Sequence, residues 1–307
     1  MRVAAIDVGT NSARLLVAEG VGDGFRSIDR RMTITRLGQG VDTKHVLSPE
    51  ALERTFAVIA DYAATCGELG VERMRVTGTS AVRDARNREE FFEGVRRLTG
   101  SDAELLSGEE EARATFLGTL SDVEHVEPVL VVDIGGGSTE LIFGKDEPER
   151  LVSLDIGCVR LFEKYLHSDP PTTEEIDSLR EEANRELARA KEILNVSRDA
   201  RLIGVAGTVT QLATLKIGLP LYDPDVTHHV VLSHGDVRAL SRRLKSLTYS
   251  QRKRIKGLEP GRADVILAGA EILLCVMETF DLPDVLVSEK DILDGLVIQL
   301  LERDATV

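Results

Sequence analysis

Asp7-Val8-Gly9-Thr10-Asn11-Ser12 and Asp133-Ile134-Gly135-Gly136-Gly137-Ser138 are two copies of one phrase. Asp, Gly and Ser recur at an offset of 126 residues (7 to 133), and Leu15 recurs as Leu141 at the same offset. Each phrase follows an apolar run, Val3 to Ile6 or Val129 to Val132, and leads into another, Leu15 to Ala18 or Leu141 to Phe143. The pattern is strand, tight turn, strand. Glycine in the turn lets backbone N–H groups approach an anion without interference from a Cβ. Two such units, each offering amides and a hydroxyl, suggest two half-sites closing on one phosphate chain. A plain hairpin turn is the competing reading for either copy alone.

A second repeat strengthens the first. Val76-Thr77-Gly78-Thr79 returns as Val205-Ala206-Gly207-Thr208 at an offset of 129 (76 to 205). Two strand-end loops recurring in the same order argue for duplicated domains facing a common cleft. The polar, Pro-terminated stretch Ser121 to Pro128 marks the boundary, giving domains at 1–124 and 125–307, with a last helix at about 290–304 that packs back on the first.

The intervening pattern alternates strands and helices. Ser48-Pro49-Glu50 opens a helix with Ser as N-cap and Pro at the first helical position. Ser107-Gly108-Glu109-Glu110 has capping-box spacing and opens another. Helices are expected near 88–98, 158–166, 173–194, 234–247, 250–256 and 261–280.

The 307 residues carry a net charge of −14, with 42% apolar residues. That composition supports a globular core and argues against a nucleic-acid-coating surface. No apolar run reaches the ~20 residues of a membrane span, and the N-terminus enters a strand without a signal-peptide pattern. Cys66, Cys158 and Cys275 are widely spaced and form no CxxC, so they read as reduced thiols of a cytoplasmic protein. An anion substrate must therefore be drawn by a local site, not by the global field.

Several residues are candidates for chemistry. Gly9, Thr10, Asn11 and Ser12 form one cradle, and Gly135, Gly136, Gly137, Ser138 and Thr139 the other. Asp7 and Asp133 end their strands, either as turn caps or as Mg²⁺ ligands, since Mg²⁺ takes one or two carboxylates plus phosphate oxygens. Glu140 shares a strand face with Ser138, as a third carboxylate or as an ordinary exposed strand residue. Arg14 takes the place in the first copy that Glu140 takes in the second, so the duplicated cradle is asymmetric. Arg83 and Arg86 would share one helical face and suit phosphate oxygens, or simply form a solvated surface. Glu109, Glu110 and Glu111 complement a helix start, and spacing does not choose among them. The basic run Arg252 to Lys256 either extends an anion track or lies in solvent. His228, His229, His234 and Asp236 admit a metal cluster, while Ser233 to Asp236 equally fits a capping box.

These phrases together resemble the exopolyphosphatase/guanosine pentaphosphatase (Ppx/GppA) family. The carrying segments are Ile6 to Leu16, Arg36 to Val41, Thr79 to Asn87, Leu106 to Gly118, Val132 to Phe143 and Val205 to Thr210. The resemblance implies an α/β fold of two related actin-like (ribonuclease H-like) domains around a central cleft. It implies hydrolysis of a terminal phosphoanhydride, with Mg²⁺ as cofactor and Mn²⁺ as a substitute. It singles out Glu111 as general base, Asp133 and Glu140 for metal and phosphate positioning, and Asn11, Ser12, Arg83, Gly136, Gly137, Ser138, Gly207 and Thr208 as phosphate holders.

The implied partner is inorganic polyphosphate or guanosine pentaphosphate, with neither nucleic acid nor membrane. A homodimer is admitted. Aromatic content of 4% without Trp favours polyphosphate. A kinase on the same fold, or a non-catalytic nucleotide sensor that keeps the glycine loops, are the rival readings. One departure stands out. Where the family carries Gly-Leu-Arg-Glu-Gly, this chain has Asp291-Ile292-Leu293-Asp294-Gly295, so Leu293 replaces an Arg. The longer members' C-terminal helical extension is also missing, leaving the two core domains.

Overall fold

The computed structural model describes residues 1–22, 24–124 and 126–305. The chain divides into two compact units, Met1–Ser121 with Lys290–Val307, and Asp122–Glu289. The division falls three residues before the expected 124/125 boundary, which adjoins His125, outside the described residues.

The first unit begins with β1 (Arg2–Val8), β2 (Ser12–Val21) and β3 (Gly24–Ile34), an antiparallel meander. After the short α1 (Val41–Lys44) and the long α2 (Pro49–Glu68) comes β4 (Arg73–Gly78), parallel to β1. Then follow α3 (Ser80–Asp84), α4 (Arg88–Thr99), β5 (Ala103–Leu105) and α5 (Gly108–Leu120), with β5 parallel to β4. The sheet order is β3-β2-β1-β4-β5.

The strand period explains its two cores. Ala4, Ile6 and Val8 point to one face with Ile59, Tyr62 and Phe91. Val3 and Ala5 point to the other, with Leu106 and Ala114.

The second unit repeats the plan. β6 (Val129–Ile134), β7 (Thr139–Gly144) and β8 (Pro148–Leu154) form a meander. The helices α6 (Cys158–Tyr165) and α7 (Thr173–Leu194) lead to β9 (Arg201–Val205), parallel to β6. Next come α8 (Ala206–Ile217), α9 (Pro224–Thr227), β10 (Val231–Ser233), α10 (His234–Lys245) and α11 (Tyr249–Arg252). The unit closes with α12 (Ile266–Phe280) and β11 (Asp284–Val287). Its sheet order is β10-β11-β9-β6-β7-β8. Read from β8, five strands reproduce the first sheet, with β10 added at the far edge. This is the ribonuclease H-like plan in duplicate. Among the described residues no helix is long and apolar enough to cross a membrane.

The chain then returns to the first unit with α13 (Ile292–Ala305). Ile292, Leu293, Leu296, Val297 and Leu300 are buried against Val3, Ala5, Leu16 and Ala18. Leu293 is thus a core residue, on a face where an Arg would be buried among aliphatics. Cations reach this helix from the sheet instead: Arg14 of β2 donates to Asp291, and Arg30 of β3 pairs with both Asp291 and Asp294.

Two expected helices are shorter than the sequence suggests. The 250–256 segment is helical only to Arg252 and continues as turns up to Gly257, at φ 82°. The 261–280 segment opens with a 3-10 turn at Pro260–Arg262, and its α-helix begins only at Ile266.

The capping box at Ser233 forms, and it draws Asp236 away from any metal cluster. Asp236 accepts from Ser233 N at 2.9 Å and pairs with Lys216 Nζ at 2.7 Å. His234 instead meets Glu278, at 3.3 Å. Lys216, followed by the Ser233 hydroxyl, lowers the Asp236 carboxyl to about 2. The folded value lies below the ordinary value of 3.8, so the stabilisation is present above that value and fades as pH falls toward about 2. Asp236→Ala should cost about 1 kcal/mol at pH 7. In urea melts followed with pH, the gap from wild type should close in the acid limb. A constant gap down to about pH 2 would contradict this account.

Candidate active site

The two copied phrases fold alike to the level of single bonds. Gly9 N donates to Ser12 O at 3.0 Å, and Gly135 N donates to Ser138 O at 3.0 Å. These bonds close each turn and leave the tip amides outside the sheet. Thr10, Asn11, Gly136 and Gly137 donate no backbone hydrogen bond among the described residues. In the second loop the carbonyls face inward: Gly135 O accepts from Cys158 N, and Gly136 O from Val159 N and Arg160 N. Arg160 Nε also donates to Gly137 O at 2.7 Å. The first turn of α6 therefore satisfies its own amides on the loop and holds the loop's carbonyl side fixed.

In the first unit, Asn11 Nδ2 and the Ser80 hydroxyl are buried and lack a hydrogen-bond partner. A buried amide donor without a partner costs roughly 1–3 kcal/mol, so such groups point to a ligand or an ordered water. Ser80 heads α3, and sequence reasoning passed over it although it stands inside the Thr79 to Asn87 phrase.

The next strand-end loops differ in construction. Thr79 Oγ1 lies 3.9 Å from where a Cβ on Gly9 would stand. In the second unit, Ala206 takes φ 66°, rare for a residue with a Cβ, and starts α8 without a side-chain cap. The amides of Gly207 and Thr208 thus stand at an uncapped helix start. A Cβ on Gly207 would overlap the guanidinium of Arg262, which is itself buried. Arg262 lies in no recognised phrase. Its only sequence signal was an Arg at the foot of an apolar helix. Thr208 also meets Cys158, whose thiol is pushed up by burial and partly drawn back by the Arg262 charge and the Thr208 hydroxyl.

Three adjacent carboxylates, indistinguishable in sequence, separate in space. Glu109 pairs with Arg113 on the exposed side of α5, at 2.9 Å. Glu110 completes the capping box with Ser107. Glu111 is turned inward, 9% exposed, with its Oε2 3.6 Å from Arg83 Nη1. Arg83 is held by a bond from Nη1 to Leu106 O at 3.0 Å. Arg86 does not share its face, because α3 stops at Asp84 and Ala85 is extended.

The asymmetry between the copies is built into the strand register. Asp7 stands opposite Arg14, whereas Asp133 stands opposite Glu140. Asp7 Oδ2 accepts from Arg14 at 2.6 Å and Oδ1 from Thr77 at 3.1 Å. Asp7 and Arg14, expected as a metal ligand and a phosphate holder, form an ion pair with each other that also reaches Asp291. Asp133 and Glu140 are 5% and 1% exposed, and Ser153 donates to Glu140 at 2.7 Å. Two buried carboxylates directly opposed across an antiparallel pair repel each other unless a cation or proton intervenes. Their hard oxygen donors, next to a glycine loop, fit Mg²⁺.

The histidines form a different cluster from the one expected. His228, His229 and Asp122 offer ligand atoms within 4.8 Å of one another. His228 has both ring nitrogens engaged, Nε2 with Asp122 and Nδ1 as acceptor from Glu289 N, each at 3.1 Å. A metal on that ring would displace one of these bonds. The three cysteines are all buried and unbridged, and burial pushes the thiols of Cys66 and Cys275 up to about 11 and about 12.

Duplicated ribonuclease H-like units, each with a glycine loop between its first two strands, define an actin-like fold. The chain belongs to the Ppx/GppA phosphatase family, which matches residues 16–304, and it is a phosphoanhydride hydrolase. It is 40% identical to Exopolyphosphatase 2 of Mycobacterium tuberculosis, over 97% of this chain and 98% of that one. A crystal structure of the Aquifex aeolicus member of the Ppx/GppA family superposes with a TM-score of 0.84 at 35% identity, covering 99% of this chain and 98% of the other. The chain is 27% identical to a guanosine-5'-triphosphate,3'-diphosphate pyrophosphatase of Photobacterium profundum, over 98% of its own length and 59% of that protein's.

Proposed function

We propose that the protein is an exopolyphosphatase, releasing orthophosphate from the end of inorganic polyphosphate with Glu111 as general base. The observation that carries this reading is the set of unspent donors at the two loops: the amides of Thr10, Asn11, Gly136 and Gly137 with the orphaned Asn11 Nδ2. Such donors, fixed before substrate arrives, stabilise charge on phosphate oxygens at little reorganisation cost. Arg83 places the Glu111 carboxylate, which takes the proton of a water attacking the terminal phosphorus. The Gly207–Thr208 start of α8 and the buried Arg262 guanidinium offer further positive charge in the second unit.

Asp133 and Glu140 would hold Mg²⁺, which when bound neutralises charge on the departing phosphate chain. Asp133→Asn with Glu140→Gln should weaken Mn²⁺ binding, read by electron paramagnetic resonance, by about tenfold or more. Asp7→Asn should leave it unchanged. Equal losses in the two variants would return Asp7 to the metal site.

The substrate test is orthophosphate release with Mg²⁺ from polyphosphates of defined length, from guanosine pentaphosphate and from ATP. Polyphosphate should give the highest kcat/KM. The close full-length relative is an exopolyphosphatase by name, and the chain has few aromatic side chains with which to stack a purine. A higher kcat/KM for guanosine pentaphosphate would replace this reading with a guanosine pentaphosphate 5'-phosphohydrolase. Tight binding of either without turnover would indicate a sensor.

A further inference from the structure

The basic run Arg252 to Lys256 divides in the structure into two kinds of residue. Arg252 is structural: it is buried and donates to the carbonyls of Ala263, Leu244 and Leu247. Arg254 and Lys256 are exposed and turn to a cavity of about 540 Å³ in the second unit. Arg243, from the last turn of α10, lines the same cavity. Its apolar floor is made by Leu215, Leu247 and Ile255.

Among the described residues, none of the three cationic side chains has a carboxylate partner. No carboxylate stands among the described residues that line the cavity. In a chain with 52 acidic and 38 basic residues, three unpaired cations converging on one hollow run against the overall balance. Complementing the α10 dipole explains Arg243 at most, and exposed Arg242 in the same turn already serves that end. Arg254 and Lys256 follow the end of α11 and belong to no helix.

The cavity is separate from the candidate active site. Thr208 stands at the start of α8 and Leu215 near its end, so about 10 Å of helix separates them at ~1.5 Å per residue. Its volume falls in the range of small-molecule sites, well above what a single orthophosphate fills. We propose that this cavity binds an oligophosphate, a linear chain of two or more phosphate groups, independently of the glycine loops. Two sources share that chemistry, inorganic short-chain polyphosphate and the phosphate chain of a nucleotide. The three cations meet the phosphates, and the aliphatic floor accepts whatever the chain is attached to.

The test is a titration of methyl-labelled full-length protein, in metal-chelating buffer where turnover is suppressed, with tripolyphosphate and separately with ATP. The Ile255, Leu247 and Leu215 methyl signals should shift and saturate with at least one of the two. Arg254→Gln with Lys256→Gln should weaken that response about a hundredfold, roughly tenfold per cation removed. Arg238→Gln with Arg242→Gln, exposed residues of α10 that do not line the cavity, should leave it unchanged.

A response to tripolyphosphate alone supports the proposal and assigns the site to inorganic chains. A response to ATP alone supports it and assigns the site to nucleotides. A response to both shows that the phosphate chain itself is read. The proposal is overturned if neither ligand shifts these methyls, if sulfate at matched ionic strength shifts them equally, or if the α10 control loses as much as the Arg254/Lys256 variant. Because binding is read without turnover, failure here leaves the hydrolase reading standing, and failure of the hydrolase reading leaves this test intact.

Discussion

Glu111→Gln should lower kcat for orthophosphate release from short polyphosphate by about 10²–10⁴-fold, with KM little changed. Gln matches Glu in shape and removes only the proton-accepting carboxylate. The Arg83 contact it loses is an ion pair at 3.6 Å, not a short hydrogen bond, so stability should fall by no more than about 1 kcal/mol. The neighbours supply controls of equal charge change. Glu109→Gln removes a surface pair with Arg113, and Glu110→Gln keeps a capping-box partner for Ser107. Both should retain near-wild-type kcat. Phosphate release assayed with Mg²⁺, alongside thermal melting, separates a lost base from a lost fold. A folded Glu111→Gln protein with near-normal kcat would remove Glu111 from the mechanism, and a comparable loss in Glu110→Gln would mean that the helix start matters rather than the base.

What separates these three glutamates shows where sequence reading ends. A phrase such as Asp-x-Gly-x-x-Ser is legible because its meaning is local: a strand, a turn with its own hydrogen bond, and a second strand. Both copies and both strand-end loops could therefore be placed from sequence. Side-chain direction within a helix depends on which face the rest of the chain covers, and so Glu111 became distinct only when α5 was packed. Arg14 illustrates the same limit. Its position opposite Asp7 follows from an antiparallel register, and its second partner, Asp291, lies 277 residues away. Arg262 acquires meaning only because Gly207 leaves room for its guanidinium. The elements that escaped notice, α1, α9 and β10, span three or four residues, too short for any period to register. Leu293 stands where the family carries an Arg, and Arg14 and Arg30 supply cations to that helix from the sheet.

Gly295→Val should cost the protein roughly 4 kcal/mol or more, the largest stability effect expected of any single substitution here. The reason lies in how α13 joins the first unit. A Cβ on Gly295 would overlap the backbone carbonyl of Ala114, and one on Gly118 would overlap that of Asp291. The two helices meet backbone to backbone at reciprocal glycines. Neither obstacle is a side chain that could swing aside, so relief requires moving α13 bodily. Moving it uncovers Leu293, Leu296 and Val297, buried against Val3, Ala5 and Leu16. It also separates Asp291 and Asp294 from Arg14 and Arg30, leaving buried charges without their partners. Because Arg14 also holds Asp7 in the first glycine loop's strand, activity should fall together with stability, unlike the clean kcat loss of Glu111→Gln. Urea unfolding gives the direct measure, and hydrogen exchange should show lost protection in α13 and α5 first. Exposed Gly67 of α2, which has open space at its Cβ position, serves as the control: Gly67→Ala should be neutral or mildly stabilising. A Gly295→Val protein within about 1 kcal/mol of wild type would mean that α13 does not depend on this crossing for its place in the fold.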